Sequence, residues 1–391
     1  MPIYITLRGL RTFLFTFKDN VDFSKKLTSG RKTTCPTPLN VSITKVKIPI
    51  RDGIVVKGTV GKHNYDGSFN GEWIDYNPNG NPAKMERVIL YLHGGAFVTG
   101  NRRGHRIFTW RLAKYSNARL LAIDYRLAPE HTFPSSIIDA ISAYQYLIDP
   151  VDSNQKYLPS QITFAGDSAG GCLAVACMLF CRDSNGKYPM PGACVGLSPW
   201  LDLTQSLPAW HLNEQFDYLP VGSDDPKYQS DTRHNLYVDH DTDLVNPYVS
   251  PIFSNEIDDT PICPMLIQVG GTERVRDDGI YFAEGPFKNS NIRLEIYSES
   301  SHVFQMFCLI DKFSRFALKR IGTFINEQTG IQIENRPVVA RESFRISKDD
   351  GYPVELISDA GGIIEDGINI LVKNGVWSTK TLDDGTMQVI A

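Results

Sequence analysis

The stretch QITFAGDSAGG, residues 161–171, places an apolar β-like run directly before a glycine-rich turn, and the helical run GCLAVACMLFCR begins at its last residue. Ser168 lies at the centre of that turn, between Gly166 and Gly170. A strand, a tight turn and a helix in this order form a nucleophile elbow, in which small neighbours permit close backbone approach. The helix N-terminus also favours developing negative charge. The pattern therefore predicts that Ser168 is a nucleophile, with an ordinary strand-to-helix turn as the alternative.

Outward from this stretch, short β-rich runs alternate with helical patterns, which predicts an α/β fold with a largely parallel, helix-covered sheet. The run RVILYL is almost wholly apolar, as buried central strands are. Eight strands are predicted, the first two as an antiparallel pair, at 41–50, 54–60, 87–92, 119–124, 162–165, 193–197, 265–269 and 292–297. The helical patterns cover 104–116, 135–148, 169–182, 277–287 and 303–326.

The segment HGGAF, residues 93–97, follows the run RVILYL. A glycine-rich turn that leaves a central strand can direct backbone N–H groups at one point, as an acyl-transfer oxyanion requires. The N–H of Ala169, directly after the serine, would complete such an oxyanion hole. A plain Gly-Gly loop is the alternative, and the position of the segment, one strand pair upstream of the elbow, argues against it.

The acid and the base are predicted on loops that follow later strands, in the chain order serine, acid, histidine. Glu273 is the first carboxylate after the run MLIQV, on the loop GGTERVRDD. Asp277, about one helical turn further on, is the alternative acid, although Asp277 and Asp278 are more typical of residues that cap or brace a helix. His302 follows the run IRLEIYS and opens the last helical pattern. We expect the acid to orient the imidazole and to stabilise its cation.

Other polar residues near these motifs are interpreted as structural. Asp124, Arg126 and Glu130 are expected to form a local charge network. Asp167 is expected to pair with that network. Structural roles are also assigned to the remaining histidines, which are His63, His93, His105, His131, His211, His234 and His240.

Five motifs together resemble the esterases related to hormone-sensitive lipase, namely HGGAF (93–97), DYRLAPEHTFP (124–134), GDSAGG (166–171), SPWLDL (198–203) and SHVF (301–304). They occur in the order found in that family, and the resemblance covers residues 42–326. It implies an α/β-hydrolase fold with a mostly parallel, eight-stranded sheet and a helical cap. It also implies a serine carboxylic ester hydrolase for short- to medium-chain acyl esters, with neither a metal nor an organic cofactor.

The same resemblance assigns the site residues. It implies a triad of Ser168, Glu273 and His302 and an oxyanion-hole segment of Gly94, Gly95 and Ala96 with Ala169. In the family the last two positions of His-Gly-Gly-Gly supply the N–H donors, and here they are Gly95 and Ala96. Ala96 departs from the family's glycine. Its backbone N–H survives the change, but a methyl group now borders the acyl site.

Three divisions of the chain are predicted, with an N-terminal cap segment at 1–40, a catalytic domain at 41–330 and a C-terminal extension at 331–391 of unassigned role. A polar insertion at about 203–250 is expected to lie over the C-terminal edge of the strands as part of the cap. Trp200 and Asp202 would shape its entry. The segment MPIYITLRGLRTFLFTFK is expected to be an amphipathic helix that packs on the protein, with peripheral membrane contact as the alternative.

Composition bears on partners and location. The formal net charge is only −4, which gives no basis for nucleic-acid binding. No apolar run reaches the roughly 20 residues that span a bilayer, so no stable membrane anchor is predicted. The number of cysteines, seven, is odd, which argues against a framework of disulfides and predicts buried free thiols. Free thiols in turn favour a reducing, cytoplasmic location. The expected partner is a small-molecule ester, and a homodimer is left open.

Two other functions remain open at this point. A non-catalytic ligand receptor can share the fold, as do plant hormone receptors that resemble this family, but such a receptor can lose the base and His302 is present. An amidase, formamidase or deacetylase would keep the same chemistry with another leaving group. The motifs do not separate these from an esterase, because the cap selects the leaving group.

Overall fold

One large sheet organises the protein. The computed structural model describes residues 35–57, 67–77, 86–150, 155–219, 235–257, 260–330, 342–349, 351–381 and 387–390. The strands of the main sheet are β1 Val41–Pro49, β2 Ser68–Tyr76, β3 Val88–Leu92, β4 Arg119–Ile123, β5 Ile162–Asp167, β6 Ala193–Leu197, β7 Met265–Gly270, β8 Ile292–Tyr297, β9 Glu342–Ile346 and β10 Val354–Ile357. Their spatial order is β1-β2-β4-β3-β5-β6-β7-β8-β9-β10.

The predicted parallel centre of the sheet is confirmed. All neighbouring pairs from β4 across to β9 run parallel, whereas β1 with β2, β2 with β4, and β10 with β9 are antiparallel. The register sets Leu92 beside Gly166 and Gly166 beside Gly196. The loops after β3, β5 and β6 therefore leave the same edge of the sheet side by side, where sites of α/β proteins form.

Two strand predictions were wrong. The partner of β1 is β2 and not 54–60, because residues 54–57 form no strand and residues 58–60 lie outside the described ones. The sequence of β2 hides its burial, since Glu72 in its middle is buried as an ion pair with Arg106 at 2.6 Å. The main sheet also has ten strands instead of eight, because the C-terminal extension adds β9 and β10 beyond β8.

Helices cover both faces of the sheet. They are α1 Arg106–Tyr115, α2 Ser135–Ile148, α3 Ala169–Arg182, α4 Pro208–Leu212, α5 Arg276–Glu284, α6 Lys312–Gln328 and α7 Gly362–Lys373. Side chains of α2, α3 and α5 pack in one apolar core, and those of α1 and α6 pack in a second core on the opposite face. The sides of β3 alternate accordingly, with Leu90 in the first core and Ile89 and Tyr91 in the second. Every residue of α3 is buried, which explains its apolar sequence.

The described part of the cap insertion contains α4, and the C-terminal extension packs against it. A Cβ on Gly367 of α7 would lie 2.8 Å from Cβ of Pro208, so only a glycine allows this close helix contact. The rings of His211 and Trp377 meet edge to face at 5.8 Å. The extension, whose role the sequence leaves unassigned, thus joins the edge of the sheet to the cap. Of the predicted N-terminal cap segment, residues 1–34 lie outside the described ones.

The predicted free thiols are present. None of the seven cysteines forms a disulfide, and six of them are buried. Within the described ranges, no helix combines the length and the apolar character needed to cross a membrane.

Candidate active site

The turn after β5 holds Ser168 in a strained backbone conformation. Its φ is 52° and its ψ is −121°, which non-glycine residues rarely adopt. A Cβ on Gly170 would lie 2.1 Å from the Leu92 carbonyl oxygen, and one on Gly166 would lie 2.2 Å from the Gly170 carbonyl oxygen. The Ser168 N–H donates to the Leu197 carbonyl at 2.9 Å. Close backbone packing of β3, β5 and β6 therefore imposes the strain on the serine.

Three predicted residues from three different loops meet at this turn. The Oγ atom of Ser168 lies 2.8 Å from Nε2 of His302, and Nδ1 of His302 lies 3.1 Å from Oε2 of Glu273. Because a carboxylate only accepts, Nδ1–H donates to Glu273, and Nε2 is left to accept from the serine hydroxyl. The second Glu273 oxygen accepts from the Gly270 N–H at 2.8 Å. The imidazole is thereby oriented toward the serine.

Burial and charge act in opposite directions on this histidine and its acid. Burial alone would lower the pKa of His302, but the hydrogen bond and charge of Glu273, together with the charges of Asp217 and Asp167, raise it above its usual value. Burial also raises the pKa of Glu273, against the opposing effect of His302. The Glu273 side chain is fully shielded from solvent, so its attraction to an imidazolium is screened very little.

The loop after β3 presents backbone N–H groups beside the serine. Within the described residues, the N–H groups of Gly95, Ala96 and Ala169 donate to no protein acceptor. Gly95 has φ 123° and Ala96 has φ 54°, and the loop closes through the Thr99 N–H, which donates to the Gly95 carbonyl at 2.8 Å. The N–H of Gly94, in contrast, donates to Asp167 Oδ1 at 2.9 Å. Gly94 was predicted within the oxyanion-hole segment, but its amide is already occupied.

Asp167 joins this loop to the elbow. Besides the Gly94 N–H, its carboxylate accepts from the Tyr91 hydroxyl and lies 3.3 Å from Nε2 of His105. Burial alone would raise the pKa of Asp167, but the charge of His105 and these hydrogen bonds lower it instead. Burial likewise opposes the charged form of His105, yet Asp167 raises the pKa of that imidazole.

Asp167 does not join the charge network in which it was predicted. Asp124 pairs with Arg102, and Arg126 pairs with Asp139 at 2.7 Å. The prediction failed because Asp167 points back toward β3 and α1, where His105 is its cationic partner.

His93 braces the loop, as predicted. Its Nδ1 lies 2.8 Å from the Gly94 carbonyl oxygen, and its ring stacks on Tyr125 with centroids 4.5 Å apart. Burial, together with the charge of His105, lowers the pKa of His93 to about 3, so this ring is neutral in the physiological range.

The two carboxylates that follow Glu273 face away from His302. Asp277 accepts from the Ala209 N–H in the cap at 2.8 Å, and Asp278 accepts from the Leu201 and Asp202 N–H groups at 2.9 Å each. The two residues lie in the first turn of α5, but they bind neighbouring loops through these side-chain contacts.

The cap supplies residues that the sequence analysis missed. Asp217 Oδ1 accepts from the His302 N–H at 3.2 Å, and the Asn213 amide donates to the Glu273 carbonyl at 2.8 Å. Trp200, predicted near the cap entry, stacks on Trp210 of the cap with centroids 6.5 Å apart. No local pattern singles out Asp217 or Asn213, since polar residues are common throughout the insertion.

Comparisons with known proteins place the chain among ester hydrolases. The profile of the α/β-hydrolase fold matches residues 89–306. An acetyl-hydrolase of Streptomyces hygroscopicus is 32% identical over 266 residues, which cover 68% of this chain and 82% of that protein. An esterase of Acinetobacter venetianus is 32% identical over 243 residues, which cover 62% of this chain and 75% of that protein. The crystal structure of a hormone-sensitive lipase from a metagenome library shares 28% identity with a TM-score of 0.62, covering 82% of this chain and 97% of that one.

Proposed function

Since this chain belongs to the α/β-hydrolase family, among its hormone-sensitive-lipase-like esterases, and is a serine ester hydrolase, we propose that Ser168, His302 and Glu273 perform the reaction. The observation that carries the proposal is the continuous contact from Ser168 Oγ to His302 Nε2 at 2.8 Å and from His302 Nδ1 to Glu273 Oε2 at 3.1 Å. A nucleophile, a base and a group that orients the base are the three parts that covalent catalysis by serine needs.

The proposed mechanism has two acyl-transfer steps. His302 takes the proton of Ser168 as its Oγ attacks the ester carbonyl, and Glu273 stabilises the imidazolium that forms. The imidazolium protonates the leaving alcohol, which leaves an acyl-enzyme. His302 then takes a proton from water, the hydroxyl attacks the acyl carbonyl, and Ser168 recovers its proton as the carboxylic acid departs.

The developing oxyanion would be bound by the N–H groups of Gly95, Ala96 and Ala169. These three amides have no protein acceptor among the described residues and flank the serine. Donors fixed in advance by the backbone stabilise charge without reorganising during the reaction. We assign Gly94 a supporting role, because its N–H holds the loop to Asp167 at 2.9 Å.

We further propose that short- to medium-chain acyl esters are the substrates. The relative from Streptomyces hygroscopicus is named an acetyl-hydrolase, and an acetyl group has only two carbons. Ala96 is an exposed residue of the oxyanion loop, and its methyl group would narrow the space that the family's glycine would leave open. Each buried CH₂ adds about 0.8 kcal/mol of binding only while the pocket has room for it. Longer chains would then clash or remain in water.

The test is kcat/KM for p-nitrophenyl esters with acyl groups from two to sixteen carbons, with a p-nitroanilide beside them. We expect the maximum at roughly two to eight carbons and a much slower anilide. A fluorophosphonate should label the enzyme at Ser168. A maximum at twelve carbons or more, or activation by an oil–water interface, would indicate a lipase, and a faster anilide would indicate an amidase.

The cap, the location and the assembly are proposals of the same kind. The insertion at 203–250, with the segment 1–40, would cover the site as the cap over the 41–330 domain. Six buried cysteines that form no disulfide are consistent with a reducing, cytoplasmic compartment. A homodimer without a membrane anchor is the assembly we would test by sedimentation and by flotation with liposomes.

A further inference from the structure

One carboxylate of the cap contacts both loops that carry the acid and the base. Asp217 lies five residues after the end of α4 and is only 3% exposed to solvent. Its Oδ1 accepts from the His302 N–H at 3.2 Å, and its Oδ2 accepts from the Arg274 N–H at 2.8 Å. Arg274 directly follows Glu273. The two oxygens of Asp217 therefore fix the backbone of the base relative to the backbone beside the acid.

The position of Asp217 depends on how the cap segment is docked. Asn213 donates through its amide to the Glu273 carbonyl at 2.8 Å, and Arg274 donates through Nε to the Trp210 carbonyl at 2.8 Å. The Arg274 guanidinium also lies 4.0 Å above the Trp210 ring. The acid loop and the segment 208–218 are thus also bound to each other through residues that precede Asp217 along the chain.

Several charged groups face His302. The carboxylates of Glu273, Asp217 and Asp167 all raise the pKa of its imidazole against the effect of burial. The Tyr218 ring lies 5.9 Å from that of His302, and burial with the charge of Asp217 raises the pKa of its phenol, so Tyr218 stays neutral. Arg274, the nearby cation, directs its guanidinium toward Trp210 and the Leu219 carbonyl.

We propose that Asp217 is a positioning residue for ester hydrolysis, which holds the acid and base loops in register and supports the imidazolium while the cap segment is docked. The inference rests on the proposed triad. It assigns to the cap a part in the chemistry, in addition to covering the substrate. Undocking of segment 208–218 would remove a negative charge from the base and free its backbone N–H.

The test is the pH profile of kcat/KM for p-nitrophenyl acetate with wild type, Asp217→Asn and Glu214→Gln. Asp217→Asn keeps the size and one acceptor oxygen but removes the charge. Loss of a hydrogen bond to a charged group predicts a fall of about tenfold in kcat at the plateau, with KM little changed. The acid limb should move to lower pH by roughly half a unit or more, since a nearby carboxylate raises the pKa of a histidine. Glu214→Gln removes the same charge from the exposed side of the segment and should match wild type.

Rates are expressed per active site, counted by fluorophosphonate titration, so that misfolded protein does not lower them. An acid limb unmoved in Asp217→Asn, or moved equally in Glu214→Gln, would overturn the inference. If Asp217→Asn does not fold, Asp217→Glu decides, because it keeps the charge and should hold the acid limb in place while the plateau falls. Failure of the triad itself is distinguishable, since Ser168→Ala would then retain activity in the same assay.

Discussion

The two halves of the site are held in different ways. On the nucleophile side, Ser168 is positioned by backbone contacts within the central sheet, where Gly166 and Gly170 leave no room for a side chain. On the acid–base side, Glu273 and His302 lie on the loops after β7 and β8, which Asn213 and Asp217 of the insertion contact. Packed strands hold the first half, whereas hydrogen bonds from the insertion contribute to the second.

This difference separates what is local in the chain from what is distant. The elbow is built from residues within a few positions of Ser168, together with neighbouring strands. The contact between Asp217 and His302 joins residues 85 positions apart, and that between Asn213 and Glu273 joins residues 60 apart. Substitutions should therefore act on the two halves differently, with chemistry lost in the first and alignment lost in the second.

The largest effect is expected from the nucleophile half. Ser168→Ala removes the attacking oxygen and should lower kcat by on the order of 10⁶, as loss of a triad serine does. The fold should persist, because the backbone contacts that hold the elbow do not involve Oγ. Single-turnover and steady-state rates with p-nitrophenyl acetate, alongside far-UV circular dichroism, provide the measurement. A folded variant that keeps several per cent of the rate would show that another residue attacks the ester.

Substitutions in the acid–base half should lower kcat by amounts that depend on which carboxylate is changed. Glu273→Gln removes the charge facing His302 and should cost about 10⁴ in kcat, as loss of the acid charge does in a serine triad. Asp277→Asn is the matched control, since Asp277 lies four residues further on, in the first turn of α5, and accepts from the Ala209 N–H of the insertion at 2.8 Å. The kcat of Asp277→Asn should fall by no more than about tenfold, because this substitution weakens a contact with the insertion and leaves the charge beside His302 in place. Equal losses in the two variants would contradict the assignment of the acid.

The same division explains what the sequence predicted. The central parallel strands, α2 and α3 were predicted closely, because apolar runs and helical periodicity follow directly from burial on a sheet. The proposed triad and the oxyanion loop lie in short motifs at strand ends. The sequence could not show that Gly94 differs from its neighbours in this loop. Only the structure shows that its N–H donates to Asp167 and is not available to an oxyanion.

What the sequence could not predict depends on distant contacts. Strand β2 was missed because Glu72 is buried through its ion pairs with Arg102 and Arg106, which are distant in the sequence. The extension had no assigned role, yet its strand β9 pairs with β8, with Leu294 opposite Ser343. The need for Gly367 in α7 becomes evident only when Pro208 of the cap lies against it. Such features have no local sequence signature, because each residue of the pair is ordinary in its own stretch of sequence and only the contact between the two gives it a structural role.

A smaller effect should come from the joint between the oxyanion loop and the elbow. A Cβ on Gly94 would lie 2.3 Å from Oδ2 of Asp167 and 2.8 Å from its carbonyl oxygen, so Gly94→Ala must push the loop away from the elbow. We expect kcat to fall by about 10², comparable to the loss of one oxyanion donor. Gly361→Ala is the control, since the atom nearest to its Cβ, Oδ1 of Asp359, would lie 3.4 Å away. An unchanged kcat for Gly94→Ala would mean that the loop tolerates displacement and that its amides do not bind the oxyanion.

The smallest effect on rate is expected from His105, which supports the nucleophile half through Asp167 at 3.3 Å without touching the substrate. His105→Gln keeps a side-chain amide near Asp167 but cannot carry charge. We expect less than a tenfold change in kcat and a loss of about 2 kcal/mol in the free energy of unfolding at pH 5. The measurement is urea unfolding of wild type and variant between pH 5 and pH 9.

The sign of that pH dependence follows from the direction of the pKa shift. Asp167 raises the pKa of His105 above its unfolded value, despite burial. The charged imidazole therefore contributes stability fully at pH values below the unfolded pKa of about 6.5, and this contribution disappears as the pH rises through the higher folded pKa. The difference in unfolding free energy between wild type and His105→Gln should be largest at pH 5 and shrink toward pH 9. A difference that stays constant, or grows with pH, would mean that His105 is neutral in the folded protein and that Asp167 is held by Tyr91 and the Gly94 N–H alone.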